Sequence, residues 1–138
     1  MPIIDPKTDE EKERRDRFGT TYWKTRQRKG ITLLEAKKMM RERNYFAAMM
    51  VNEGDVDTMI TGYSRPYSSV VRPILELIEK DKGVSRVAAT NLMLTKKGPI
   101  FLADTTININ PTAKDLAKIS QMTYALAKMF GMKPNIAM

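Results

Sequence analysis

Val84-Ser-Arg-Val-Ala-Ala-Thr-Asn-Leu-Met-Leu-Thr95 is a long run rich in Val, Ala, Thr and Leu, the composition of a β-strand. Lys96-Lys97-Gly98 then turns the chain into the apolar Ile100-Phe-Leu-Ala103, which predicts a hairpin. Upstream, Asp57 to Thr61 is a shorter β-prone run that stops at Gly62. Between the two runs, Val71, Ile74, Leu75 and Ile78 recur at i, i+3, i+4 and i+7, the spacing of one helical face. Strand, helix and strand in that order predict a right-handed parallel βαβ crossover. With the hairpin added, the expected fold is α/β with a mixed, mostly parallel sheet flanked by helices.

Outward from this centre, the helix signals are local and distinct. Thr32 and Glu35 form a T-x-x-E capping box after Gly30, so a helix is expected over about 33–43. Tyr45 to Asn52 reads as a second helix ended at Gly54, with Met39, Met40, Met49 and Met50 as core filling. Thr112 and Asp115 repeat the cap spacing before a long helix with the stripe Leu116, Ile119, Leu126 and Phe130. Gly131 takes its C′ position, Met132 the apolar contact beyond it, and Pro134 prevents continuation. Asn135-Ile-Ala-Met138 then begins like a strand and the chain ends within it, so the expectation is the first part of a longer domain.

Residues 7–17 alternate both charges at helical spacing, with Glu10 and Glu13 four residues ahead of Arg14 and Arg17. Residues 1–30 are accordingly expected to form a charged helical lead-in arm, and residues 31–138 the domain. Phe18, Tyr22 and Trp23 give that helix an aromatic edge, of the kind that anchors a helix to its own domain.

The 138 residues carry 24 Lys+Arg against 16 Asp+Glu, a formal charge of +8, so an anionic partner is considered. The absence of Cys and His excludes disulfides, thiolate nucleophiles, zinc-finger spacings and any His-based dyad from within the chain. The apolar runs are far shorter than the roughly 20 residues of a bilayer crossing, so no membrane partner is expected. The start, Met1-Pro-Ile-Ile-Asp5, lacks a secretory signal, which points to the cytoplasm. Neither a P-loop nor a G-x-G-x-x-G occurs.

The stretch Gly62 to Pro73 gathers Ser64, Arg65, Ser68, Ser69 and Arg72 between a predicted strand and a helix. Loops at that place in α/β sheets bind ligands, and arginine fits phosphate bidentately. Two readings stand side by side: a site for an anion or phosphorylated ligand, or a turn shaped by Pro66 and Pro73 with Ser69 as helix cap. Asp55 and Asp57 make a D-x-D that belongs either to a metal or to the turn after Gly54. Asp104 is either a general base or an acceptor for Thr105 and Thr106. A third class of function, nucleic-acid binding through Trp23, Lys24, Arg26, Arg28 and Lys29, is the rival that the charge suggests. Interleaved acidic residues weigh against it.

Over Arg43 to Met50, Val51 to Gly62, Arg72-Pro73, Ile109 to Ala117 and Phe130-Gly131-Met132, the sequence resembles a known family. It is similar to the phosphate acetyltransferase-like C-terminal domain of large bacterial NADP-dependent malic enzymes and, more distantly, to phosphate acetyltransferase itself. The resemblance covers about residues 28 to 138, and Asn110-Pro-Thr-Ala113 is its most specific part. It implies an isocitrate/isopropylmalate dehydrogenase-like fold, a homo-oligomer, and a cleft for coenzyme A and acyl phosphate. It implies Arg72 as the best ligand contact, with Ser64 and Arg65 as neighbours; the family's Gly-x-x-His loop carries Arg65 in place of the His. The family's serine-rich stretch and its later Asp and Ser-Arg pair fall outside this sequence, so no catalytic residue is expected within it. The leading expectation is an acetyl-CoA-binding regulatory module of a malic enzyme whose NADP and divalent-metal sites lie elsewhere. The alternative is a phosphate acetyltransferase.

Overall fold

The computed structural model describes residues 3–80 and 82–138. They form two compact units, one ending at Glu79 and the other beginning at Lys80. Each is a consequence of different local chemistry.

The first unit is helical. Helix α1 (Lys12–Arg26) runs into a 3₁₀ turn at Gln27–Lys29, followed by α2 (Leu33–Met39), α3 (Arg43–Asn52) and α4 (Tyr67–Leu77). Phe18, Tyr22, Ala36, Met40, Tyr45, Phe46, Ala48, Met49 and Leu77 make its core, with Met39 and Met50 packed against it. Phe18 and Phe46 lie 5.2 Å apart and Tyr22 and Tyr45 5.8 Å, both tilted, the geometry that suits aromatic quadrupoles. The segment that charge pattern sets apart as residues 1–30 thus supplies two of the largest buried side chains. Gly19 explains how closely α1 and α2 approach: a Cβ there would come within 2.7 Å of the Lys37 Cα.

Thr32 and Glu35 close the capping box that the spacing predicts. The helix over 33–43, however, is cut after Met39. Glu42 takes the N-cap of α3 instead, its carboxylate accepting from the Asn44 and Tyr45 backbone amides at 2.8 and 3.2 Å. Gly54, at φ +77°, ends α3, with Gly54 and Asp55 amides returning to the Val51 and Met50 carbonyls. Helix α4 buries Val70, Pro73 and Leu77, not the expected Val71, Ile74, Leu75 and Ile78, because α3 packs on the adjacent flank. Pro73 has no N–H to give to the Ser69 carbonyl one turn back; the Asn44 side-chain amide donates to that carbonyl at 3.3 Å.

In the second unit, β1 (Thr90–Thr95) and β2 (Gly98–Ala103) form the predicted hairpin, antiparallel from Thr90 opposite Ala103 to Thr95 opposite Gly98. Helix α5 (Ala113–Met129) follows, capped by reciprocal Thr112 and Asp115 bonds. It ends as expected: Gly131 at φ +73° and Met132 return to the Lys128 and Ala127 carbonyls. Its stripe is narrower than read: Ile119 and Ala127 are buried, while Phe130 is exposed and meets Phe101 at 5.6 Å.

The parallel part of the βαβ expectation is not formed among the described residues. Among the described residues the sheet has two antiparallel strands, and residues 57–61, 84–89 and 135–138 pair in no ladder. A strand is defined by its partner. The hairpin finds its own across two residues, whereas parallel pairs need a partner brought from far along the chain. The architecture is therefore α/β in the coarse sense. No helix among the described residues is long and apolar enough to cross a membrane.

Candidate functional site

The loop Gly62–Pro66 is held at both ends by one residue. Asn44, buried at the start of α3, accepts from the Thr61 hydroxyl at 2.9 Å and donates to the Ser69 carbonyl. Between these anchors, Gly62 (φ +123°) and Tyr63 (φ +61°) take left-handed backbone, and the Ser64 amide donates to the Gly62 carbonyl at 2.8 Å. A tyrosine in that region is strained, and its ring is fully exposed. Pro66 precedes α4 with no side-chain cap; the expected cap Ser69 instead donates back to the Pro66 carbonyl at 2.7 Å.

Ser64 and Arg65 are exposed on the tip, and Arg72 lies on the second turn of α4. Each arginine has its own carboxylate: Arg65 is 3.5 Å from Glu42, and the Arg72 Nε donates to Glu76 at 2.8 Å. Glu76 also accepts from the Tyr22 and Tyr45 hydroxyls, both at 2.8 Å. Burial works to raise the Glu76 carboxyl, but the bonds from Arg72, Tyr45 and Tyr22 outweigh it and hold it below the usual carboxylate range. Burial, with the bond to Glu76 second, pushes the Tyr45 phenol up to about 12 and raises Tyr22 further. The Glu76 bond likewise raises Arg72, which stays a cation.

Arg26 donates to the Glu76 backbone carbonyl at 2.7 and 3.1 Å, a cation at the C-terminal end of α4 where the helix dipole favours it. The basic, aromatic stretch suggested for nucleic acid is thus partly spent inside the unit, with Tyr22 buried and Trp23 packed on the core. Asp55 of the D-x-D faces Arg14 at 3.8 Å and Arg17 at 3.4 Å. No group of three or more Asp or Glu among the described residues is placed to hold a metal.

Asp104 is an acceptor. Its carboxylate receives the Ala89, Thr106, Ile107 and Asn108 amides at 2.9–3.2 Å and the Asn108 side chain. Burial would raise its carboxyl, but these bonds dominate and lower it to about 2, a poor base. The Asn110-Pro-Thr-Ala113 segment caps α5 and, through Asp115, holds Arg86 at 2.6 Å. Asn44, Glu42, Tyr22 and Tyr45 went unread as site residues. Only Glu76 carried a signal, its i, i+4 spacing from Arg72.

The model of the phosphate acetyl/butaryl transferase family matches residues 1–138. Phosphate acetyltransferase of Nitratidesulfovibrio vulgaris is 36% identical over 138 residues, 100% of this chain and 19% of that protein. An NADP-dependent malic enzyme of Rhizobium meliloti is 35% identical over 113 residues, 81% of this chain and 15% of the other. A phosphotransacetylase of Streptococcus pyogenes superposes with a TM-score of 0.80 at 37% identity, over 90% of this chain and 38% of the solved one. The chain therefore spans well under half the length of these relatives. They favour the acetyltransferase reading over the malic enzyme one.

Proposed function

We propose, because this chain belongs to the phosphate acetyl/butaryl transferase family, that it is the ligand-loop portion of a phosphate acetyltransferase, moving acetyl between acetyl phosphate and coenzyme A. The observation that carries the reading is the family match over the whole chain, together with 36% identity to a phosphate acetyltransferase across all 138 residues. In the reaction the coenzyme A sulfur attacks the acetyl carbonyl carbon, a C–S bond forms, the C–O bond to phosphate breaks, and the thiol proton leaves with phosphate. Arginines lower the barrier by meeting the negative charge that develops on oxygen. Within this chain Arg72 on α4, with Ser64 and Arg65 on the loop before it, contacts phosphate groups of the ligand. The same proposal places residues 57–61, 84–89 and 135–138 as strands of a mostly parallel, isocitrate dehydrogenase-like sheet in a longer, homo-oligomeric protein.

The test is acetyl-CoA formation from acetyl phosphate and coenzyme A by the protein that carries this chain. Arg72→Ala should raise KM for coenzyme A about tenfold or more. Absence of acetyl-CoA formation refutes the assignment. A second reading rests on the malic enzyme match and on Arg65 standing where the family has His: an acetyl-CoA-binding regulatory module. It predicts acetyl-CoA inhibition of NADP-dependent malate oxidation, relieved by the same substitution.

A further inference from the structure

Arg72 is joined to the core by an unusual chain of bonds. A surface Arg–Glu pair at i, i+4 holds two mobile side chains and is worth little. Here the two partners differ: the Arg72 side chain is 72% exposed and that of Glu76 only 18%. Glu76 receives, from α1 and from α3, the hydroxyls of two tyrosines whose rings are themselves core. Its backbone carbonyl is held by Arg26. Of the five N–H donors of the Arg72 guanidinium, the bond to Glu76 uses the one on Nε. The edge formed by the two terminal nitrogens is left, and that edge matches two oxygens of one phosphate.

We propose that Tyr22 and Tyr45 are positioning residues which, through Glu76, fix Arg72 by its Nε edge and present its terminal nitrogens to a phosphate group of the coenzyme A-type ligand. The inference rests on Arg72 being a ligand contact. Its physical content is preorganisation: a long, rotamer-rich side chain is ordered before the ligand arrives, so less freedom is lost on binding. The tyrosines touch no ligand and act only through the carboxylate.

The measurement uses the whole protein that carries this chain, with coenzyme A as the probe. The Arg72 Nε–H resonance is assigned by its loss in Arg72→Lys, and its exchange with water is compared in wild type, Tyr45→Phe and Tyr22→Phe. Both variants keep the buried ring and remove one hydroxyl. Each should speed exchange of that proton and raise KM for coenzyme A about three- to tenfold with kcat kept, the size of one hydrogen bond. A merely structural tyrosine would change the melting temperature and leave the Nε–H and the KM alone. If Arg72→Lys raises KM while both tyrosine variants leave KM and exchange unchanged, the positioning role is overturned and the ligand contact stands. If Arg72→Lys leaves KM unchanged, the ligand contact fails and this inference with it.

Discussion

The two units differ in what holds them. In the first, four helices close over an aromatic and methionine core in which Phe18, Tyr22, Met40 and Met49 have no solvent exposure. In the second, a hairpin and one helix bury two hydrophobic residues among those described, Ile119 and Ala127, and leave Leu94 and Met138 at least 84% exposed. A two-stranded sheet with one helix cannot cover its own faces. Beside that burial and the Phe101–Phe130 contact, the second unit is ordered by polar bonds: five to the Asp104 carboxylate, the Thr112–Asp115 box and the Arg86–Asp115 pair. The contrast teaches that apolar burial and local polar clasps can each shape a unit, and that the proposed ligand loop is built on the better packed one.

The sharpest way to break the contrast is to empty the first core. Phe18→Ala should cost about 3–5 kcal/mol in denaturant unfolding, whereas Leu94→Ala on the exposed hairpin should stay within about 0.5 kcal/mol. Equal effects would mean that the two units share their stability. Gly19→Ala comes next. Alanine normally favours a helix interior by about 1 kcal/mol, but here its methyl would collide with the Lys37 backbone, and a net loss of about 1–3 kcal/mol is expected. A gain in melting temperature would show that α1 and α2 can move apart freely.

The smallest effect is a pH dependence confined to the second unit. The Asp104 carboxyl is depressed from 3.8 to about 2, so its contribution is complete above about pH 4 and is lost as pH falls through 2. The Ala89, Ile107 and Asn108 amide shifts should titrate together with a midpoint near 2, and Asp104→Asn should abolish the transition. A midpoint near 3.8 would show that the clasp does not form.

The legible parts share a short reach. Both capping boxes, the glycine stops at Gly54 and Gly131 and the Lys96-Lys97-Gly98 turn join residues a few positions apart, where spacing alone decides geometry. The Arg72–Glu76 pair is of the same kind. The rest joins residues far apart: Tyr22 and Tyr45 reach Glu76 across 54 and 31 positions, and Asn44 reaches Ser69 across 25. No periodicity encodes such pairs. The parallel ladder is missing from the described residues for the same reason, since β-prone composition at residues 57–61 says that a strand is permitted but not that a neighbour is present.

By itself, then, the sequence determined the capping boxes at Thr32 and Thr112, the glycine stops, the hairpin, the chemistry excluded by lacking Cys and His, and the polar stretch carrying Ser64, Arg65 and Arg72. Only the tertiary structure decided that Phe18 and Tyr22 enter the core while Trp23 stays at its margin, and that a buried asparagine pins the loop. It alone put two core tyrosines beneath the arginine. Backbone hydrogen bonds and cap geometry are satisfied within a few residues of chain, whereas burial and side-chain bonds to a buried carboxylate exist only once distant segments have packed.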